Sequence, residues 1–244
     1  MADAASEPWG ALLPEGGRVT LFALRGDDLE TRDLARAADA ESVAGIDPAR
    51  LVTLDNSARA APPAEILPKG LRSLGALQQA GPAALLTAEA RVLIAGALTA
   101  APDWDGILLI PEPEVTHWVH VSAREVVSFQ GAATGRLARA FGAKAGEADT
   151  GALDDTMSRP ERLAVHLNAA ALTGDHSALW GHLLGAELAA TRAYWLGQGV
   201  RIIGDAEPYA AALAAQGVMA EAVPRAGAWR AGLRALGAAA GFTG

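Results

Sequence analysis

The chain has 244 residues, 51% hydrophobic and 20% charged, enough to bury one sizeable domain or two small lobes and too apolar to stay disordered. A formal net charge of −8 with no basic run argues against a nucleic-acid surface, and the lack of cysteine excludes disulfides and thiolate metal sites. No apolar stretch reaches the roughly 18 residues of a membrane span. The opening MADAASEPWG lacks the charged and apolar regions of a secretion signal, so a cytoplasmic protein is expected.

Trp9 to Leu13 and Arg18 to Leu24 read as two short strands around Pro14-Glu15-Gly16-Gly17, because paired glycines between apolar runs mark a hairpin. Asp28 to Ala44 is polar with scattered leucines and alanines, and is expected to be irregular to helical. Leu51 to Leu54 is a strand, and Asp55 to Pro68, with Pro62-Pro63, is a loop. Leu71 to Gln79 is expected to form a short helix ended by Gly81-Pro82. Thr87 can cap a helix running to about Ala100.

A strand-rich block follows. Gly106 to Ile110 is a buried apolar run, and Thr116 to Ser122 alternates sides and pairs with Glu125 to Gln130 across Ala123-Arg124. Thr134-Gly135 precedes a helix from Arg136 to Phe141, and Gly142 to Thr156, small and acidic, reads as a mobile connection. Helices are expected at Pro160 to Thr173, Ser177 to Gly197, Pro208 to Gln216 and Ala226 to Ala240, with a strand at Val200 to Ile203. Strands in pairs or threes ahead of helices suggest a layered α/β fold. No short-period repeat is visible, although duplicated lobes can hide in so divergent a chain.

Few residues carry obvious chemistry. His117 and His120 are three apart on a strand and face opposite sides, so they do not share a metal. His176 and His182 are six apart and do not stack on one helical face. Asp149, Asp154 and Asp155 read as a solvated acidic group, no metal ligands are assigned, and the six tryptophans read as core anchors.

Asp105-Gly106-Ile107-Leu108, Trp118-Val119-His120-Val121-Ser122, Glu125 to Gln130, Thr134-Gly135, Gly181 to Leu188 and Ile202-Ile203-Gly204 together resemble the 2-dehydro-3-deoxygalactonokinase family. The similarity covers about the last two-thirds of the chain, from near Leu85. It implies an α/β, two-lobed sugar kinase, Hsp70 and actin-like (ribonuclease H-like) fold with a shortened N-terminal lobe. The expected lobes are residues 1–130, α/β, and 131–244, helix-rich. The implied activity is transfer of the ATP γ-phosphate to a 2-keto-3-deoxy sugar acid, with Mg²⁺ as charge neutraliser.

Four polar motifs of that family are eroded here. An Asp-Trp-Gly-Thr phosphate turn corresponds to Leu13-Pro14-Glu15-Gly16-Gly17, with Thr20 where an arginine would fall. Arg-Gly-Glu-Glu at a helix start corresponds to Ala88-Glu89-Ala90-Arg91. Pro-Gly-Thr-His-Ser-Lys before a tryptophan has become Glu112-Pro113-Glu114-Val115-Thr116-His117. Thr-Gly-Glu keeps Thr134 and Gly135 but has Arg136 for the acid.

By resemblance, Glu89 is the candidate base or metal partner, and Gly16, Gly17, Thr134 and Gly135 are candidate phosphate contacts. Gly185 and Glu187 are candidates for the adenosine side. Each has a plainer reading: a hairpin turn for Gly16-Gly17, an N-cap for Thr134 and close helix packing for Gly185. The expected ligand is a small sugar acid, and a homodimer is compatible with the sequence. The rival reading is a catalytically inactive relative, a pseudokinase that binds a ligand or partner without cofactor.

Overall fold

The computed structural model describes residues 7–144 and 146–242, so most of the opening segment weighed above as a secretion signal lies outside the described residues. The chain divides into two compact units. The first holds residues up to Ala80, Leu85–Pro102 and Ala226 onward; the second holds Gly81–Ala84 and Asp103–Arg225.

The first unit begins with β1 (Trp9–Glu15), β2 (Arg18–Arg25) and β3 (Asp28–Leu34), an antiparallel meander. Gly16 and Gly17 at φ 57° and 81° form the β1–β2 turn, a conformation that glycine adopts without steric cost. Next come α1 (Ala40–Ala44), β4 (Leu51–Ala60), β5 (Ala64–Glu65), β6 (Ser73–Ala80), β7 (Ala83–Leu86) and α2 (Ala88–Ala97). Strand β4 runs parallel to β1, and β6 parallel to β4, giving the order β3-β2-β1-β4-β6. The expected hairpin thus stands beside the Leu51 strand.

Alternation places Val19, Leu21 and Ala23 on one face of the sheet with Ala40, Ala44 and Ile46, and Phe22 and Leu24 on the other. The second face is closed by α2 and by the last helix, α9 (Arg225–Ala239), through Val92, Leu233 and Leu236. There Gly96 faces the backbone of Ala228, and Gly232 that of Val92, so closely that any side chain would collide.

Three expectations are corrected here. Asp28 to Leu34 is a strand; it is polar because it is an edge strand whose residues are mostly exposed. Leu71 to Gln79 is not a helix: from Ser73 it is β6, where burial of Leu74, Ala76 and Leu77 overrides the helical preference of Ala, Leu and Gln. Strand β4 continues past Leu54 to Ala60, irregular between Asp55 and Arg59.

The second unit opens with β8 (Gly106–Ile110), β9 (Thr116–Ser122) and β10 (Glu125–Ala132), again an antiparallel meander. Helices α3 (Thr134–Ala140), α4 (Thr150–Ser158), α5 (Leu163–Thr173), α6 (His176–Ala190) and α7 (Arg192–Trp195) follow, then β11 (Val200–Ile203), α8 (Tyr209–Ala215) and β12 (Glu221–Val223). Strand β11 is parallel to both β8 and β12. The order β10-β9-β8-β11-β12 matches the run β3-β2-β1-β4-β6 of the first unit in sequence and in strand direction. One ribonuclease H-like plan is therefore present twice, a duplication without a visible sequence repeat.

The second unit's core joins Ile107, Leu109 and Trp118 of the sheet to Leu153, Leu184, Leu188 and Trp195 of the helices. Residues expected to be a mobile connection contain α4, capped by Asp149, whose side chain accepts from Ala152 N at 2.7 Å. Strand β12 was not expected. The boundary expected at 130/131 falls inside β10, and α9 returns to the first unit. Among the described residues no helix is long and apolar enough to cross a membrane.

Candidate functional site at the loop end of the second unit

Two eroded motifs, the Glu112 to His117 segment and Thr134-Gly135-Arg136, come together in the structure. The β8–β9 connection folds over the start of α3. Arg136 N donates to Glu114 O at 3.2 Å, and Gly135 lies so close to Pro113 O that no side chain fits. Arg136 Nε donates to the Glu114 carboxylate at 3.0 Å, Arg139 also pairs with that carboxylate, and Arg139 Nη2 donates to Pro113 O at 2.8 Å. The hydrogen bonds from Arg136 and Arg139 hold the Glu114 carboxyl below its ordinary pKa.

Glu112 is engaged in the same way. Its Oε1 accepts from Arg225 Nη2 at 2.9 Å, and its Oε2 lies 3.6 Å from Nε2 of buried His117. Burial works to raise the Glu112 pKa, but His117 and Arg225 outweigh it and hold the group below its ordinary value. Two carboxylates thus occupy this loop, matched by three arginines.

Beneath the loop lies a buried polar cluster. Thr116 Oγ1 and Tyr209 Oη are 2.6 Å apart, and Tyr209 donates to Glu187 Oε2 at 3.2 Å, so the Thr116 hydroxyl donates to Tyr209. Trp118 Nε1 donates to Glu187 Oε1 at 2.7 Å, and Thr134 also hydrogen-bonds Glu187. Burial pushes the Glu187 carboxyl up to about 7, against the lowering effect of Thr134, Trp118 and Tyr209. Burial and the nearby Glu187 push the Tyr209 phenol well up.

The structure therefore brings Thr134 and Glu187 together. Thr134 is the first residue of α3 and fully engaged below the surface, with Ala133 at the cap position. Gly185 lies on α6 against the carbonyl of Leu153 on α4, where any side chain would collide. Gly16 and Gly17 stand in the open β1–β2 turn with nothing near their Cα hydrogens. In the first unit, Glu89 on α2 accepts from Asn56 Nδ2 at 2.8 Å, while Asn56 Oδ1 accepts from Ala88 N at 2.8 Å.

Sequence reasoning missed Arg225, Glu112 and Tyr209 as partners. Glu112 and Arg225 stand 113 positions apart, and no local pattern links them. Also unforeseen is a recess of about 200 Å³ on the second unit, lined by Ile107, His120, Ser128, Ala193, Tyr194 and Gln198. No carboxylate, lysine or arginine lines it, and Tyr194 Oη donates to Ser128 Oγ at 3.3 Å.

Residues 140–236 match the model of the 2-keto-3-deoxy-galactonokinase family. A Sinorhizobium meliloti protein described as a candidate 2-dehydro-3-deoxygalactonokinase shares the fold at a TM-score of 0.70 and 20% identity, over 93% of this chain and 97% of that one. The activator of 2-hydroxyisocaproyl-CoA dehydratase from Clostridium difficile, with bound ADPNP, is a looser likeness, at 0.46 and 11% over 96% and 95% of the two chains. Component A of the Acidaminococcus fermentans (R)-2-hydroxyglutaryl-CoA dehydratase stands at 0.47 and 13%, over 96% and 97%. No curated protein matches significantly. Residues 140–236 are thus similar to the 2-keto-3-deoxy-galactonokinase family, and the duplicated α/β fold is the one this chain shares with the Sinorhizobium protein.

Proposed function

We propose that this chain is a kinase-fold protein that holds a ligand or partner without transferring phosphate. One observation carries the reading: Glu112 and Glu114 stand in the β8–β9 loop and are tied to Arg225, Arg136 and Arg139. Phosphoryl transfer relies on cations and a metal to neutralise the moving phosphate. Here the arginines are already neutralised by the loop's own acids, and those acids would repel a triphosphate. Mg²⁺ takes carboxylate oxygens together with substrate phosphates; carboxylates committed to arginine fit that need poorly. The recess around His120, Ser128 and Tyr194 offers hydroxyl, imidazole and amide groups suited to a small hydroxyl-rich molecule.

The second reading is an active 2-dehydro-3-deoxygalactonokinase. It uses ATP and Mg²⁺ on a 2-keto-3-deoxy sugar acid, and the family match over 140–236 favours it. Glu89 is then the catalytic base, as the family resemblance implies. An ADP-release assay across 2-keto-3-deoxy sugar acids separates the two. We expect no turnover and no thermal stabilisation by Mg²⁺-ATP, whereas a bound ligand at 100 times its Kd adds roughly 2.7 kcal/mol. Multiple turnovers that vanish in Glu89→Ala and survive in Asp154→Ala would establish the kinase instead.

A further inference from the structure

Helices α4, α5 and α6 meet at three side chains. Thr156 of α4 is fully buried, His166 of α5 nearly so, and His182 of α6 is half-buried. Thr156 Oγ1 lies 2.8 Å from His166 Nδ1 and 2.8 Å from His182 Nδ1, and the two imidazole centroids are 4.5 Å apart. His182 Nδ1 also lies 3.1 Å from the carbonyl oxygen of Ala152, and His166 Nε2 lies 3.3 Å from Asp155 Oδ2.

Counting protons assigns the tautomers. A carbonyl only accepts, so His182 carries its hydrogen on Nδ1 and shares it between Ala152 O and Thr156 Oγ1. The single hydroxyl hydrogen of Thr156 then goes to His166 Nδ1, which must be bare. His166 keeps its own hydrogen on Nε2, facing Asp155. A carboxylate, imidazole and hydroxyl in this order can activate a nucleophile, but Thr156 has no exposed surface through which a substrate could reach it.

We propose that Thr156, His166 and His182 form an acid-labile latch that fastens α5 to α4 and α6. A second proton on His166 would enter at Nδ1 and displace the Thr156 hydroxyl hydrogen. That hydrogen would have no acceptor, because Oγ1 already receives one from His182, and a buried donor left without a partner is costly. His182 can take a proton on its bare Nε2 without breaking a bond, but two cationic rings 4.5 Å apart repel.

The surrounding charges do not cancel this effect. Asp155 faces His166 but is also paired with Arg159, and Arg162 at the start of α5 adds a second cation. Asp149 and Asp175, at the starts of α4 and α6, favour charge on His182. On α6 the other titratable groups are His176 and Glu187, and on α3 Arg136 and Arg139 are held by Glu114. Burial and then Arg162 and Arg159 lower the pKa of His166; burial and then His166 lower that of His182. The folded state therefore disfavours the charged rings. Their contribution is intact above the ordinary histidine pKa of about 6.5 and shrinks as pH falls below it.

Long-range ¹H–¹⁵N spectra of the full chain at pH 7.5 should show His166 as the Nε2–H tautomer and His182 as the Nδ1–H tautomer. Hydrogen exchange, corrected for intrinsic rates, should show α5 losing at least about tenfold in protection relative to α2 between pH 7.5 and pH 5.5. His166→Gln, whose amide keeps an acceptor and a donor, should flatten that dependence. The opposite tautomers, or an unchanged α5-to-α2 ratio in the wild-type chain, would overturn the proposal whether or not the variant folds.

Discussion

The indole of Trp118 on β9 donates a 2.7 Å hydrogen bond to Glu187 on α6, joining residues 69 positions apart around one buried carboxyl group. Thr134 and Tyr209 complete the ring of partners. An acid in such a place is held neutral more readily than in water. Its hydrogen bonds then orient β9, α3, α6 and α8 rather than a ligand.

That burial sets a sign for the pH dependence of stability. Glu187 titrates at about 7 in the folded chain and at the ordinary 4.5 when unfolded, so between those values the folded state binds more protons. This group's contribution is most favourable below pH 4.5 and falls as pH rises to about 7, by an upper limit of roughly 3 kcal/mol. Denaturation across pH should show that slope removed in Glu187→Gln. Glu187→Ala should lose about 2–4 kcal/mol at every pH, because Trp118 Nε1 and Tyr209 Oη lose their partner. The histidines of α5 and α6 act with the opposite sign below about pH 6.5, so Glu187→Gln should steepen the remaining acid slope.

Gly181 and Gly185 let α6 lie against the backbone at Asp149, Leu153 and Met157, at and within α4. Gly185→Ala places a methyl group into the Leu153 carbonyl oxygen and should cost about 3 kcal/mol or more. Gly16→Ala meets no neighbour and bears only the left-handed backbone at φ 57°, about 1–2 kcal/mol. Urea titrations of the two variants should separate packing from backbone strain; equal losses would sink the packing account.

The β9–β10 turn offers a route to a more stable chain. Ala123 and Arg124 sit at φ 51° and 64°, where side chains are strained. Ala123→Asn with Arg124→Gly supplies the residues that this turn favours and should raise stability by about 1–2 kcal/mol. The lost Arg124–Asp103 pair is well exposed and contributes little. A melting temperature at or below that of the parent would show that the turn relaxes in solution.

Arg91 in α2 is a buried cation that ties two strands. Its Nη1 donates to Gly75 O of β6 at 2.6 Å and its Nη2 to Glu65 O of β5 at 2.7 Å, while burial lowers its pKa to about 10. It remains charged throughout the physiological range. Arg91→Met fills similar space but leaves both carbonyls without donors, and a loss of about 2 kcal/mol is expected. Calorimetry that shows no loss would mean that water replaces the guanidinium.

Apolar pattern and turn chemistry made much of the fold legible in the sequence. The glycine pair at 16–17, the run Gly106 to Ile110 and the alternation of Thr116 to Ser122 each announced a strand found in the structure. Strands β3 and β6 were hidden for opposite reasons: one is polar because it is an edge, the other is rich in helix formers and becomes a strand only through long-range pairing. The candidate site was less legible still. Nothing local shows that Glu187 is sealed from solvent or that Arg225 reaches Glu112, because distant elements create both environments. His166 was passed over because its stacking partner lies on another helix.

The return of α9 to the first unit has a consequence for synthesis. That unit is written in separate stretches of the gene, and the core around Val52, Leu54 and Leu74 has only α2 to cover it until the final helix emerges. Everything from Asp103 to Arg225 leaves the ribosome first, so the internal unit has time to mature while its host waits half-built.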